Sequence, residues 1–221
     1  MVINKYLAEL MGTFVLVGLG SMGILAADAV GETGAAKLIL VSFAFGLALL
    51  AGIWAVGHVS GAHFNPAVTL AMLLDKRIAF SDAIGYWVAQ FAGGILGSLI
   101  VLGVSGSRAV VEATGTYYEN YTTGLVTEIT LTAVFIWVIL AVVRKGGNHA
   151  PAAIALTLVG VHMAGIPFSG ASVNPARSFG PAVVSGFFDP DLWLYLYAPL
   201  IGAIVAFALY RLFAVEETPA I

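Results

Sequence analysis

Long apolar runs alternate with short polar connections along the whole chain, and this pattern predicts the fold. Six of the runs are long enough to cross a bilayer, which takes about 20 helical residues. They cover residues 6–27, 38–56, 83–104, 125–143, 150–166 and 192–210. We therefore expect an all-α membrane protein with six transmembrane helices, forming a single transmembrane domain over residues 1–221.

Two further apolar stretches, residues 65–74 and 174–188, are too short to span a bilayer. Each begins with Asn-Pro-Ala, and Asn followed by Pro is typical of a helix N-cap and first position. Half-length helices are tolerated at membrane depth only where they line a cavity or lie buried in protein. We expect two half-helices that point inward.

The two short stretches belong to an internal repeat. SGAHFNPA (60–67) and SGASVNPA (169–176) agree at six of eight positions, and Asn65 and Asn174 are 109 positions apart (174 − 65). Tyr86 and Tyr195 have the same offset. Each repeat, about 1–110 and 120–221, carries three spans and one half-helix. Because three is odd, the second repeat enters the membrane from the opposite face, which predicts an inverted-topology repeat with its site near the midplane.

Composition supports the membrane assignment and excludes several kinds of site. The chain is 60% hydrophobic and 10% charged, whereas soluble domains carry about 25% charged residues. The net charge of −3 gives no indication of nucleic-acid binding, and the absence of cysteine excludes disulfides and thiolate metal sites. We expect the lipid bilayer as the surrounding partner, with no metal and no cofactor.

Basic residues predict the orientation, since cytoplasmic loops are enriched in Lys and Arg. If the six spans alternate, six basic residues fall on the side of the termini and three on the other side. We therefore expect a multi-pass protein of the cell membrane with both termini in the cytoplasm. The first group is Lys5, Lys76, Arg77, Arg144, Lys145 and Arg211, and the second is Lys37, Arg108 and Arg177.

The meeting point of the two half-helices is the candidate site. The side-chain amides of Asn65 and Asn174 offer donors there, beside two positive helix ends. The residues before each Asn are predicted to be non-helical. Their carbonyl groups are then expected to face a narrow passage between the half-helices, the lane, along which a solute would cross. Such a lane suits a neutral, hydrogen-bonding solute and opposes cations, including protons. The carbonyl groups expected to line the lane, as hydrogen-bond acceptors, belong to Gly61, Ala62, His63, Gly170 and Ser172.

Arg177 occurs in the second box only, and Val68 holds its place in the first. A cation in the first turn of a helix faces the positive end of the dipole, so this asymmetry indicates a function in water binding and cation repulsion. The alternative is a structural tie to a buried carboxylate or to carbonyls.

Glu9 and Glu128 lie at like places early in spans one and four. Ionisable groups inside spans are candidates for proton relays. We favour a structural role, in which each accepts backbone N–H groups from the loop before a box.

The segments AELMGTFVLV, GHVSGAHFNPAVTLA, YWVAQFAGG and GASVNPARSFGPA together resemble the aquaporin (major intrinsic protein) family. The resemblance covers essentially the whole chain. It implies a homotetramer with one pore per subunit, and it identifies Asn65-Pro66-Ala67 and Asn174-Pro175-Ala176 as the two family boxes.

The resemblance also implies a four-residue selectivity filter at Phe45, His162, Ala171 and Arg177. This combination looks like the water-selective branch, because glycerol-conducting members typically carry Trp, Gly and Phe at the first three positions. One departure is Leu196, which is closer to the glycerol branch. A metal-binding role for His162 is the less favoured reading, since no cysteine or carboxylate cluster lies near it in the sequence.

We therefore expect a passive water channel and not an enzyme. A broader facilitator for glycerol, ammonia, peroxide or gases remains open. An ion-coupled transporter would require an ionisable pair at the midplane, where the boxes offer Asn. A junction-forming structural protein has no support in the short loops. The GxSG at residues 103–106, which is found in intramembrane serine proteases, is short enough to arise by chance.

Overall fold

The computed structural model describes residues 2–106, 120–186, 188 and 191–213, and all of the regular structure in these residues is helical. Six helices are long and apolar enough to cross a membrane, which confirms the expected fold class. Arg108, which entered the orientation argument, lies outside the described residues. The helices are α1 (Val2–Ala29), α2 (Gly34–Ser60), α3 (Pro66–Leu74), α4 (Phe80–Ser105), α5 (Tyr121–Lys145), α6 (Ala150–Ser169), α7 (Pro175–Ser185) and α8 (Leu192–Phe213).

The two half-helices are α3 and α7, and both begin where the sequence predicts. Asn65 and Asn174 are the N-caps, and a proline holds the first helical position of each. Helix α7 ends at Ser185, three residues before the predicted end. Gly186 adopts φ 68°, a left-handed conformation that terminates helices and that glycine takes without steric cost.

The packing of the helices follows the repeat. In the first half α1 packs against α2 and α4, and in the second half α5 packs against α6 and α8. The half-helices cross between the halves, since α3 packs on α8 and α7 packs on α4. Each half-helix is therefore held by a long helix of the opposite repeat, which brings the two helix starts to the same place.

Glycines allow the close helix approaches that this arrangement needs. A Cβ on Gly94 would lie 2.5 Å from the carbonyl oxygen of Ala176, and one on Gly180 would lie 2.4 Å from the backbone of Gly94. The α4–α7 contact therefore admits no side chain at either position. Gly160 is different, because a Cβ there would have no atom of the described residues within 4 Å.

Candidate functional site

The loops before the two half-helices have the same backbone shape. Ala62 and Phe64 adopt φ 55° and 49°, and Ala171 and Val173, at the matching positions, adopt φ 48° and 46°. Left-handed conformations of non-glycine residues cost energy and persist only where the surroundings hold them. The same strained loop has thus been built twice.

Glu9 fixes the first loop by accepting hydrogen bonds from it. Its Oε1 accepts hydrogen bonds from the backbone N–H of His63 (2.9 Å) and the hydroxyl of Ser60 (2.7 Å). Its Oε2 accepts from the N–H of Phe64 (2.7 Å). With its N–H groups turned towards this buried carboxylate, the loop has its carbonyl groups available for the opposite side.

Glu128 repeats the arrangement in the second loop. Oε1 accepts from the N–H of Ser172 (2.8 Å) and the hydroxyl of Ser169 (2.7 Å), and Oε2 accepts from the N–H of Val173 (2.8 Å). Both glutamates have no exposed surface. These contacts are the ones that a structural role for the two carboxylates requires.

Two tyrosines complete the loop supports, and sequence reasoning had used them only to measure the repeat. The hydroxyl of Tyr86 donates to the carbonyl of Ser60 (2.7 Å), and that of Tyr195 donates to the carbonyl of Ser169 (2.8 Å). The signal was their common offset within otherwise apolar spans.

The two box asparagines cap their own half-helices and donate into the opposite loop. Asn65 Oδ1 accepts from the N–H of Ala67 (2.8 Å), and Asn65 Nδ2 donates to the carbonyl of Val173 (2.8 Å). Asn174 does the same towards Ala176 and Phe64, both at 3.0 Å. An amide nitrogen carries two hydrogens, so these bonds leave one hydrogen of each Nδ2 for a solute.

A narrow internal cavity of about 40 Å³ runs past the two asparagines. A buried water needs roughly 10–15 Å³ when measured in this way, so the cavity accommodates a few waters. Its lining combines residues of the two box loops with apolar side chains of the long helices and of α3. The loop residues are Gly61, Ala62, His63, Asn65, Ser172 and Asn174, and the apolar side chains include Leu16, Leu49, Val68, Phe135, Ile139 and Leu158.

Arg177 stands where this narrow cavity meets a wider one of about 480 Å³. Gly170 lines the wider cavity, together with Asp28 and Lys37. Ala171 is fully buried but lines neither cavity. Three of the four expected filter residues therefore lie together on the narrow cavity, and the part of Ala171 in the filter stays a prediction.

Phe45 contacts both His162 and Arg177. The rings of Phe45 and His162 stack at 4.9 Å with an interplanar angle of 14°. The guanidinium carbon of Arg177 lies 5.0 Å from the centre of the Phe45 ring. The buried carboxylate of Glu128 attracts Arg177 electrostatically, and the structural tie considered from the sequence stays a prediction.

The hydrogen bond of His162 defines which ring nitrogen faces the cavity. Nδ1 lies 2.9 Å from the carbonyl oxygen of Leu158, and a carbonyl only accepts, so Nδ1 carries the proton. Nε2 is then an acceptor. It is buried and has no hydrogen-bond partner among the described residues, which suits a passing donor.

Sequence reasoning also missed Gln90, a polar residue of the site. Its Nε2 donates to Glu9 Oε2 (2.7 Å) and to Thr69 Oγ1 (2.8 Å). A buried glutamine in the middle of an apolar span was the available signal. Leu196, by contrast, lies in an outward-facing groove with Trp87 and Phe179, away from the narrow cavity. In the part of the chain that the structure describes, no group of three or more His, Asp or Glu residues is placed to hold a metal ion.

Comparison with known proteins gives similar chains along the full length. A relative named aquaporin Z, from Photorhabdus laumondii, is 37% identical over 97% of this chain and 99% of its own. Another aquaporin Z, from Rhodopseudomonas palustris, is 36% identical, with 97% and 95% covered. A protein of Lactiplantibacillus plantarum named glycerol uptake facilitator protein-like 6 is 37% identical, with 97% and 100% covered.

A solved structure supports the fold. The aquaglyceroporin from Plasmodium falciparum superposes with a TM-score of 0.81, covering 95% of this chain and 96% of that one at 23% identity. The family model described as major intrinsic protein matches residues 1–210. The chain therefore belongs to the major intrinsic protein family, whose aquaporins are membrane channels and not enzymes.

Proposed function

We propose that this protein is a passive, water-selective channel that excludes ions and protons. The observation that carries the proposal is the contact of Phe45 with both His162 and Arg177 on the narrow cavity. Two stacked rings and a guanidinium line the same cavity. No covalent step, coupled ion or cofactor enters this mechanism.

The filter selects by size and by hydrogen bonding. A glycerol molecule needs a wide opening and an apolar face for its carbon chain. Here the His162 ring occupies part of the opening and presents Nε2, an acceptor, while Arg177 presents donors. A water molecule meets both needs at once, because it donates to Nε2 and accepts from the guanidinium.

The lane centre opposes charge transfer. Asn65 and Asn174 each offer one amide hydrogen, and both sit at the N-terminal, positive end of a half-helix. A water that accepts from these donors has its own hydrogens turned away along the lane. This arrangement resists both cation binding and proton transfer past the centre.

The second candidate is a broader facilitator that also carries glycerol, ammonia, peroxide or gases. It is favoured by the Lactiplantibacillus plantarum relative, which is as similar to this chain as the aquaporin Z relatives and is named for glycerol uptake. The position of Leu196 away from the narrow cavity gives it no support.

The test is stopped-flow light scattering on proteoliposomes, with water and glycerol fluxes measured on one preparation. The wild type is compared with His162→Ala, which removes one stacked ring from the filter and should admit glycerol. Protein-free vesicles give the baseline. A glycerol flux above baseline in His162→Ala but not in the wild type supports the proposal. A glycerol flux above baseline in both proteins favours the broader facilitator.

We further propose a homotetramer with one pore per subunit, in the cell membrane with both termini cytoplasmic. The tetramer is what the family resemblance implies, and helix α2 offers it an apolar face on which Phe43, Leu47 and Trp54 are 41%, 56% and 68% exposed. The excess of basic residues on the side of the termini supports the orientation. Light scattering of the purified protein and labelling of an introduced terminal cysteine test the two points.

A further inference from the structure

Gln90 on α4 begins a chain of side-chain hydrogen bonds that reaches the lane. Its amide is fully buried, 2.7 Å from Glu9 Oε2 and 2.8 Å from Thr69 Oγ1. A carboxylate only accepts hydrogen bonds, so the amide nitrogen must face Glu9. The second hydrogen of that nitrogen then goes to the hydroxyl oxygen of Thr69.

Thr69 is hydrogen-bonded to His63, and the bonds of Thr69 define which of the two groups donates. Thr69 Oγ1 lies 3.0 Å from His63 Nδ1. If Nδ1 carried a proton, the hydroxyl oxygen would accept twice, and its own hydrogen would have no acceptor among the described residues. Thr69 is fully buried, where an unsatisfied donor is costly. The hydroxyl therefore donates to Nδ1, which leaves the His63 proton on Nε2.

The Nε2 edge of His63 is the one available to the lane. His63 lines the narrow cavity beside Gly61, and Nε2 lies 3.9 Å from the place that a Cβ on Gly61 would take. Within the described residues no hydrogen bond is formed by Nε2. The ring thus offers an N–H donor at Nε2, because Nδ1 already accepts a hydrogen bond from Thr69.

The second repeat lacks this chain. At the positions that match His63, Thr69 and Gln90 it has Ser172, Ser178 and Pro199. The Ser172 hydroxyl bonds locally, to Ser178 Oγ at 2.6 Å and to the carbonyl of Asn174 at 3.0 Å. The second repeat instead has Arg177, whose first-repeat counterpart is Val68. Each repeat therefore brings a different donor to the lane.

We propose that Gln90 and Thr69 are positioning residues that hold His63 in its Nε2–H tautomer. The His63 ring then gives the lane a neutral hydrogen-bond donor. This donor lies on the first-repeat side of the boxes, and Arg177 lies on the other side. The proposal deepens the proposed function and rests on it. The two histidines of the lane then have opposite roles, because His162 presents an acceptor at Nε2 and His63 presents a donor.

Nitrogen NMR of histidine-labelled protein in lipid vesicles tests the tautomer directly. The signals of His63 are assigned by their loss in His63→Asn. We expect the wild type to carry the proton of His63 on Nε2. Thr69→Val, which removes the hydroxyl but keeps the shape, should release the tautomer into a mixture, and Thr69→Ser should retain it. A wild-type His63 protonated on Nδ1, or a tautomer unchanged in Thr69→Val, overturns the proposal.

Gln90→Met supplies an independent variant, because it removes both donated bonds with little change in volume. We expect a mixed His63 tautomer and a water flux lowered by roughly 2- to 10-fold, the range that one hydrogen bond is worth. Ser98→Ala is the control on the same helix, since among the described residues the Ser98 hydroxyl bonds to the carbonyl of Gly94 within α4 and to no other group. Wild-type flux in Gln90→Met contradicts the proposal. Failure of the proposed function would appear separately, as a wild type without water flux.

Discussion

The side-chain nitrogen of Asn65 lies 2.8 Å from the carbonyl oxygen of Val173, so the first half-helix is tied to the loop of the second repeat. The reciprocal bond joins Asn174 to the carbonyl of Phe64. Each asparagine thus has three tasks: it caps its helix, it ties the repeats together, and it keeps one hydrogen for the lane.

Asn65→Asp separates these tasks. The carboxylate still caps the helix but has no hydrogen for Val173, and it faces that carbonyl oxygen with a negative charge. We expect a loss of ~1–3 kcal/mol in stability, lower water flux and a new cation leak. Thermal unfolding and vesicle leak assays measure these effects. Asn120→Asp is the control, since Asn120 is an exposed N-cap whose oxygen accepts from Thr123. Equal behaviour of the two variants would contradict this assignment.

Arg177→Val gives the second repeat the residue that the first has at Val68. We expect the protein to fold and assemble, and we expect cation exclusion to weaken because the positive charge at the filter is gone. Sodium and proton leak into vesicles report the change, and Arg177→Lys, which keeps a charge, should leak less. Loss of assembly in Arg177→Val would instead make the attraction to Glu128 its main role.

Glu9→Gln and Glu128→Gln test the loop supports. Each carboxylate accepts two backbone N–H groups and one serine hydroxyl, and a glutamine amide turns an NH₂ group towards some of these donors. Each unsatisfied buried donor costs ~1–3 kcal/mol, so the unfolding temperature should fall in both variants. Glu32→Gln, in the connection after α1, should leave it unchanged. Variants with wild-type stability but altered proton flux would favour the proton-relay interpretation.

Gly94→Ala tests the approach of α4 to α7. The added methyl group would lie 2.5 Å from the carbonyl oxygen of Ala176, and packed backbones yield only with strain. We expect reduced stability together with reduced water flux, because Ala176 belongs to the second box. Gly160→Ala is the matched control on an open surface and should behave as the wild type in unfolding and flux assays. A tolerated Gly94→Ala would mean that the two helices separate without cost.

Hydropathy and the repeated boxes are sufficient to predict most of this fold. Six long apolar runs, two short ones and a common offset indicate the spans, the half-helices and their inversion, because membrane-buried backbone has few alternatives. Asn-Pro also predicts both helix starts. Gly186 was an available signal for the end of α7. The expected stretch ran on to residue 188 because the sequence stays apolar after this glycine.

The side-chain hydrogen bonds of the site were beyond sequence reasoning. The link from Gln90 through Thr69 to His63 depends on rotamers of residues on three separate segments. The left-handed backbone at Phe64 and Val173 has no sequence signature, since neither residue favours it. The filter positions came from resemblance alone, and the part of Ala171 in the filter stays a prediction.

The most direct test of the central claim compares water and glycerol flux in the same wild-type proteoliposomes by stopped-flow light scattering. The account predicts water flux well above that of protein-free vesicles, with a low activation energy, and glycerol flux at the protein-free level. Glycerol flux well above that level, alongside the water flux, would contradict a filter closed by Phe45, His162 and Arg177.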